Sequence, residues 1–287
     1  MKIIDIINSN KPSLSFEVFP PKTSDSYESV KKATEEIAML NPSFMSVTYG
    51  AGGGTSEFTV SVAEAIKNRG VTPIAHLTCI NSSKDDIKNR LEALKKAGIE
   101  NILALRGDIT EENKNKIKFD YKYASELVTD IKSFGDFCIG GACYPEGHPE
   151  SENQKDDIIN LKKKVDAGVE FLTTQMFFDN NILYNYMYKI REAGITVPII
   201  AGIMPVTNAK QIKRSCALSG TYLPQRFKTI VDRYASNPDA MCQAGIAYAT
   251  EQIIDLFANG INAVHVYSMN KPYVARKIQE NISEIIK

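Results

Sequence analysis

The sequence predicts a parallel (β/α)8 barrel, and three observations carry that prediction. Six amphipathic stretches end in a glycine (Gly70, Gly98, Gly135, Gly168, Gly194 and Gly260), each followed at once by an apolar, strand-like run. Glycine just past a helix takes the left-handed cap conformation without a Cβ clash. The runs are near-continuously apolar, the pattern of parallel strands buried on both faces. Two earlier runs of the same kind bring the set to eight, and a chain of 287 residues suits one such barrel.

The first run spans residues 14–19. Tyr27, Val30, Ile37 and Leu40 then recur at helical spacing until Pro42 ends the pattern, and the second run covers 44–49. The third, 71–76, follows Gly70. Ser83-Lys84-Asp85-Asp86 reads as a capping box opening a helix with Ile87, Leu91 and Leu94 on one stripe. The fourth and fifth runs are 99–105 and 137–143. Ile158, Leu161 and Val165 mark a helix over 157–167, ahead of the sixth run at 169–174. The seventh run is 197–203. The long stretch before the eighth, 261–267, is expected to hold extra helices over 224–234 and 238–259. No linker, low-complexity tract or composition shift marks a second domain, so 1–287 reads as a single barrel.

Thirty-four Lys and Arg balance thirty-four Asp and Glu. That argues against nucleic acid or an anionic membrane as the main partner, since both usually leave a basic excess. The five cysteines are odd in number and lack C-x-x-C spacing, which argues against a disulfide framework or zinc ribbon and for a reducing compartment. Residues 1–8 make a poor signal peptide. The most apolar run, 197–206, contains two prolines and is too short to span a bilayer. A cytoplasmic protein is expected. His76, His148 and His265 form no H-x-x-x-H pair, so no metal site is expected. The glycine-rich 50–55 stretch lacks the third glycine of G-x-G-x-x-G and the Gly-Lys-Ser/Thr of a P-loop.

In a (β/α)8 barrel the active site lies at the carboxyl ends of the strands. There the sequence places Glu17, Thr48 and Tyr49, His76, Arg106-Gly107-Asp108, Tyr144, Gln175, Thr207 with Asn208, and Tyr267. A charge among apolar strand residues is costly unless paired or used. Taken singly, each has a plainer reading. Glu17 fits a structural ion pair as well as an acid, His76 a satisfied core histidine, Arg106 with Asp108 an ion pair beside a turn glycine, and Lys162-Lys163-Lys164 a solvated helix face. Their gathering at one barrel end favours a site.

In order along the chain, Phe16-Glu17-Val18-Phe19-Pro20-Pro21-Lys22-Thr23, Ser46-Val47-Thr48-Tyr49-Gly50-Ala51, His76-Leu77-Thr78-Cys79, Ala104-Leu105-Arg106-Gly107-Asp108, Tyr144-Pro145-Glu146-Gly147-His148-Pro149-Glu150 and Thr174-Gln175-Met176-Phe177-Phe178-Asp179 fall one per strand end. This ordered set resembles the methylenetetrahydrofolate reductases over nearly the whole chain. The resemblance is to the compact bacterial form, without the C-terminal regulatory extension of eukaryotic members. It implies a flavoenzyme of one-carbon and methionine metabolism that reduces 5,10-methylenetetrahydrofolate to 5-methyltetrahydrofolate in two half-reactions. NAD(P)H first reduces a bound flavin; folate then takes the hydride. FAD is the implied flavin, with FMN left open, and the donor stays open between NADH, NADPH and a protein electron-transfer subunit. A homo-oligomer is also implied.

By the same resemblance Glu17 is the general acid that opens the methylene bridge, and Asp108 lies near flavin and pterin, where its charge favours a cationic iminium. Gln175, Gln211 and Lys271 fall at folate-contacting positions together with Asp108. The implied flavin contacts are Thr48, Tyr49, Ala51, His76, Arg106, Gly107, Asp108, Tyr123, Ala124, Tyr144, His148, Ser151, Asp157, Asn160, Lys163 and Lys164, the lysines meeting phosphates. One departure stands out: the family's Tyr-x-x-Asn-Arg reads Tyr267-Ser268-Met269-Asn270-Lys271 here. Lysine keeps the charge but loses the planar fork, which bears on the folate tail. Two rival readings are a flavin barrel oxidising an amino acid such as proline, which needs no acid at Glu17, and a flavin-holding electron-transfer scaffold.

Overall fold

The computed structural model describes residues 1–21, 23–49, 56–108 and 120–287. Eight parallel strands pair in sequence order and close on themselves: β1 (Ser13–Val18), β2 (Met45–Val47), β3 (Pro73–Thr78), β4 (Asn101–Leu105), β5 (Cys138–Cys143), β6 (Phe171–Thr174), β7 (Ile199–Ile203) and β8 (Ala263–Tyr267). Closure is made by β8 on β1, with Ser15 opposite His265 and Glu17 opposite Tyr267.

A short helix, α1 (Ile3–Ile7), precedes the barrel. The connecting helices are α2 (Tyr27–Ala38), α3 (Ser56–Asn68), α4 (Lys84–Lys96), α5 (Ala124–Phe134), α6 (Gln154–Asp166), α7 (Asn180–Glu192), α8 (Ala209–Ser219), α9 (Gln225–Tyr234), α10 (Pro238–Ala258) and α11 (Pro272–Asn281). The extra helices expected at 224–234 and 238–259 are α9 and α10; α8, directly after β7, was not anticipated. The capping box at Ser83 is formed, with Ser83 Oγ accepting from the Asp86 N–H and the Asp86 carboxylate accepting from the Ser83 N–H.

Several strands begin two residues later than the apolar runs suggest, and the glycine caps explain why. After Gly70, Gly98, Gly194 and Gly260, the next residue's N–H donates back into the helix: Val71 to Ile66, Ile99 to Leu94, Ile195 to Ile190 and Ile261 to Leu256. These are Schellman-type closures, in which the residue after the glycine packs against the helix's last turn. Val71, Ile99, Ile195 and Ile261 are accordingly buried. Gly135 departs from the expectation. Its φ of 173° is extended backbone, and its N–H closes only on Ile131.

Alternation along each strand splits the core into two. Leu14, Phe16 and Val18 face the helices, within the main apolar cluster. The inward faces begin with an apolar layer of Phe44, Ile74, Leu103, Cys138, Phe171, Ile200 and Ala263, sealed from below by Ile3 and Ile7 of α1. Asn101 pins that plug: its Oδ1 accepts from the Ile3 N–H at 2.9 Å, and its Nδ2 donates to Met1 O and Pro73 O. Above this layer the barrel interior turns polar.

Candidate active site

A cavity of about 1400 Å³ opens at the carboxyl ends of the strands. The residues that the resemblance implies as flavin contacts line it wherever they are described, as do Glu17, Asp108 and Gln175; Ala51 lies outside the described residues. Gln211 and Lys271 are not among its lining residues. Gln211 is exposed in the first turn of α8, and Lys271 donates to Thr207 Oγ1 at 2.5 Å, joining the loops after β7 and β8.

Glu17 projects inward from β1 with only 8% of its surface exposed. Burial pushes its carboxyl up to about 8, well above the ordinary 4.5. His76, from β3, holds its Nε2 3.7 Å from Glu17 Oε2. That spacing would suit an ion pair, but burial also drives the imidazole down to about 3. Both groups are therefore neutral near pH 7, a carboxylic acid beside an imidazole. Tyr267, opposite Glu17 on β8, donates its hydroxyl to Thr174 O at 2.5 Å. A side chain at Gly202 would collide with Tyr267 Oη and Thr174 O, so only glycine leaves that tyrosine its place.

The rim is charged. Arg106, at the end of β4, makes a two-pronged pair with Glu150 at 2.7 and 2.5 Å, and that partner holds its guanidinium pKa above the usual range. Gly107 then turns the chain with φ +89°, where a Cβ would meet Ile80 Cγ2 at 2.8 Å. His148 sets its ring edge-on to Tyr144, 4.6 Å between centroids, and its Nδ1 accepts from the Glu150 N–H. Ser151 Oγ donates to Asp157, whose carboxyl is raised by burial. Lys164 donates to Ala142 O at the end of β5 and is lowered by burial, whereas Lys163 is exposed and donates to Asn160. Gln175 holds its own turn, its Oε1 accepting from the Met176 N–H.

The sequence reading missed several lining residues. Arg90 reaches in from α4, 4.9 Å from the centroid of the Tyr49 ring, and donates to Ser82 Oγ at 2.7 Å. Its position on an amphipathic helix gives no sign of this. Ser46, which opens one of the strand-end blocks but was given no role, and His265 form part of the floor. Among the described residues no cluster of His, Cys, Asp and Glu could hold a metal ion, and no helix is long and apolar enough to cross a membrane.

A closed parallel barrel with a large carboxyl-end cavity and a buried, protonated carboxyl in its wall has the kind of site that (β/α)8 enzymes use. The methylenetetrahydrofolate reductase family model matches residues 2–283, and the chain belongs to that family. It is 36% identical to the 5,10-methylenetetrahydrofolate reductase of Escherichia coli over 260 residues, 90% of this chain and 86% of that one. It is 35% identical to methylenetetrahydrofolate reductase (NADH) 1 of Arabidopsis thaliana over 99% of this chain, and spans about half (51%) of that relative's length. A Clostridium thermocellum structure described as binding two copies of 5-methyl-5,6,7,8-tetrahydrofolic acid superposes with a TM-score of 0.68 over 99% of both chains; at 15% identity this likeness concerns the fold alone.

Proposed function

We propose that this chain reduces 5,10-methylenetetrahydrofolate to 5-methyltetrahydrofolate, with FAD held in the cavity and NADH as electron donor. The observation that carries the reading is Glu17: a protonated, buried carboxylic acid in the wall of the cavity. The donor follows the names of the plant relatives. The site suits a flavin dinucleotide in size, since drug-sized ligand sites occupy about 300–1,000 Å³ and this one is larger. It also suits a polar ligand, because the buried lining atoms His76 Nε2 and Asn81 Oδ1 have no hydrogen-bond partner among the described residues.

Bound flavin would supply the two-electron carrier linking nicotinamide to folate. Thr48, Tyr49 and His76 would hold it on the β2–β3 side, and Tyr144, His148, Asn160, Lys163 and Lys164 on the β5–β6 side. Glu17 donates its proton to the bridging nitrogen of the substrate, so the carbon–nitrogen bond breaks and leaves a cationic iminium that can accept hydride. The carboxylate so formed regains its proton from solvent between turnovers. Asp108 stabilises the cation by charge, and Gln175 orients the pterin through its amide. Tyr267, held by Thr174, fixes the wall opposite Glu17.

The test is to purify the protein, record its flavin spectrum and follow 5-methyltetrahydrofolate formation. Glu17→Gln should keep flavin reduction by NADH and lose folate reduction by about 10²–10⁴-fold, the usual contribution of a positioned acid. A variant that reduces folate at the parent rate would show that Glu17 is not the acid. A parent protein that reduces its flavin but never turns over free folate would favour the electron-transfer reading.

A further inference from the structure

Past the last ladder pair of the closing seam, Glu17 opposite Tyr267, the turn between β8 and α11 continues to grip β1. Ser268, 1% exposed, donates its hydroxyl to Glu17 O at 2.7 Å. Asn270 takes both main-chain groups of Phe19. Its Oδ1 accepts from the Phe19 N–H at 2.7 Å, and its Nδ2 donates to Phe19 O at 2.9 Å. An N–H only donates and a carbonyl only accepts, so the amide has a single orientation here. One asparagine side chain thus stands in for a further strand residue. On the other flank the same strand end is held by ordinary pairing, the Thr48 N–H donating to Val18 O at 3.0 Å.

The turn is strained. Met269 and Asn270 have φ of 55° and 54°. Asparagine visits that region readily, whereas a residue such as methionine loses about 1–2 kcal/mol there. Strain of this kind persists where surrounding contacts over-determine it. Here those contacts are the three hydrogen bonds to Glu17 and Phe19, with the Lys271 N–H closing the turn on Ser268 O. All of them hold main chain, and none touches the Glu17 carboxyl. His76 Nε2, 3.7 Å from that carboxyl, has no hydrogen-bond partner among the described residues, and burial is what raises the Glu17 pKa. The place of the carboxyl therefore follows the main chain that carries it.

We propose that Asn270, assisted by Ser268, is a positioning residue for the folate half-reaction, fixing the strand end from which the Glu17 acid reaches the substrate. The proposal rests on Glu17 being the acid of the reaction above. Flavin reduction by NADH needs no such acid and is indifferent to the clamp. A misplacement of about 1 Å at a reacting group costs on the order of 10²-fold in rate.

The experiment is a double-mutant cycle on the flavin-loaded protein, read as single-turnover rate constants for each half-reaction. Asn270→Gly removes both bonds to Phe19 and leaves a residue that adopts the φ of 54° without a Cβ penalty. It should slow flavin reoxidation by saturating methylenetetrahydrofolate by about 10–100-fold. The folate concentration giving half the maximal rate, and flavin reduction by NADH, should stay at the parent values. In the Glu17→Gln background Asn270→Gly should cause no further loss, because the side chain it places is no longer an acid. Ser268→Ala, which removes one bond and adds no bulk, should show the same pattern with a smaller loss, and decides the matter if Asn270→Gly does not fold. Equal slowing of both half-reactions, an unslowed folate step, or a loss that persists in full in the Glu17→Gln background would overturn the proposal. Failure of the acid reading itself looks different: Glu17→Gln alone would then reduce folate at the parent rate, and the proposal would fall with it.

Discussion

Glu17, His76 and His265 pull the stability of the protein in opposite directions as pH changes. Folding raises Glu17 from 4.5 to about 8, so the folded chain keeps a proton that the unfolded chain has released. Its contribution is fully present below 4.5 and is lost as pH rises through 8. The two histidines behave the other way: folding lowers each from 6.5 to about 3, so their contribution is present above 6.5 and is lost as pH falls towards 3. Each proton changes stability by about 1.4 kcal/mol per pH unit within its window. For these groups, stability peaks near 6.5. Glu17→Gln should remove the decline between 6.5 and 8, seen as a guanidinium midpoint that stays level where the parent's falls; parallel curves would contradict the burial assigned to Glu17. Glu17 was legible in the sequence because a carboxylate inside an apolar run is conspicuous. The contacts of Ser15 and Ser46 with His265 were not, since they join residues 250 and 219 apart and exist only once β8 closes on β1 and brings β2 alongside.

Among the elements, the strands were legible to within about two residues because helix caps and strands are read by local rules. The Schellman closures are the exception, since a buried Ile or Val after glycine looks like the first strand residue although it still belongs to the helix end. Helix α1 escaped notice because five residues are too few to show a period, and its burial comes from sealing a barrel that local sequence does not reveal. Its anchor can be tested. Asn101→Ala leaves the Ile3 N–H without its partner in a buried place, and should cost about 1–3 kcal/mol in urea unfolding. An unchanged midpoint would show that the plug does not depend on Asn101. At the other barrel end, Gly202→Ala inserts a methyl against Tyr267 Oη and Thr174 O. Overpacking of this kind typically costs about 1–3 kcal/mol, and here it should also displace Tyr267 and slow folate reduction more than flavin reduction. Equal slowing of both half-reactions would separate Tyr267 from the folate step.

At the scale of the whole molecule, one architectural fact organises the chemistry: the barrel is apolar where α1 closes it and polar where it opens. The eight-fold pattern announced this fold in the sequence, and the ordered strand-end motifs announced its family. The rim was less legible. Arg106, an implied flavin contact, stands paired with Glu150 at the rim, and Arg90 enters from a helix stripe. The role proposed for the protonated Glu17 is to open the substrate's methylene bridge. Its most direct test is the pH dependence of single-turnover reoxidation of the reduced flavin by methylenetetrahydrofolate. The rate constant should hold steady below about 8 and then fall about tenfold per pH unit, while flavin reduction by NADH shows no such limb. A folate step that proceeds undiminished well above pH 8 would contradict the account.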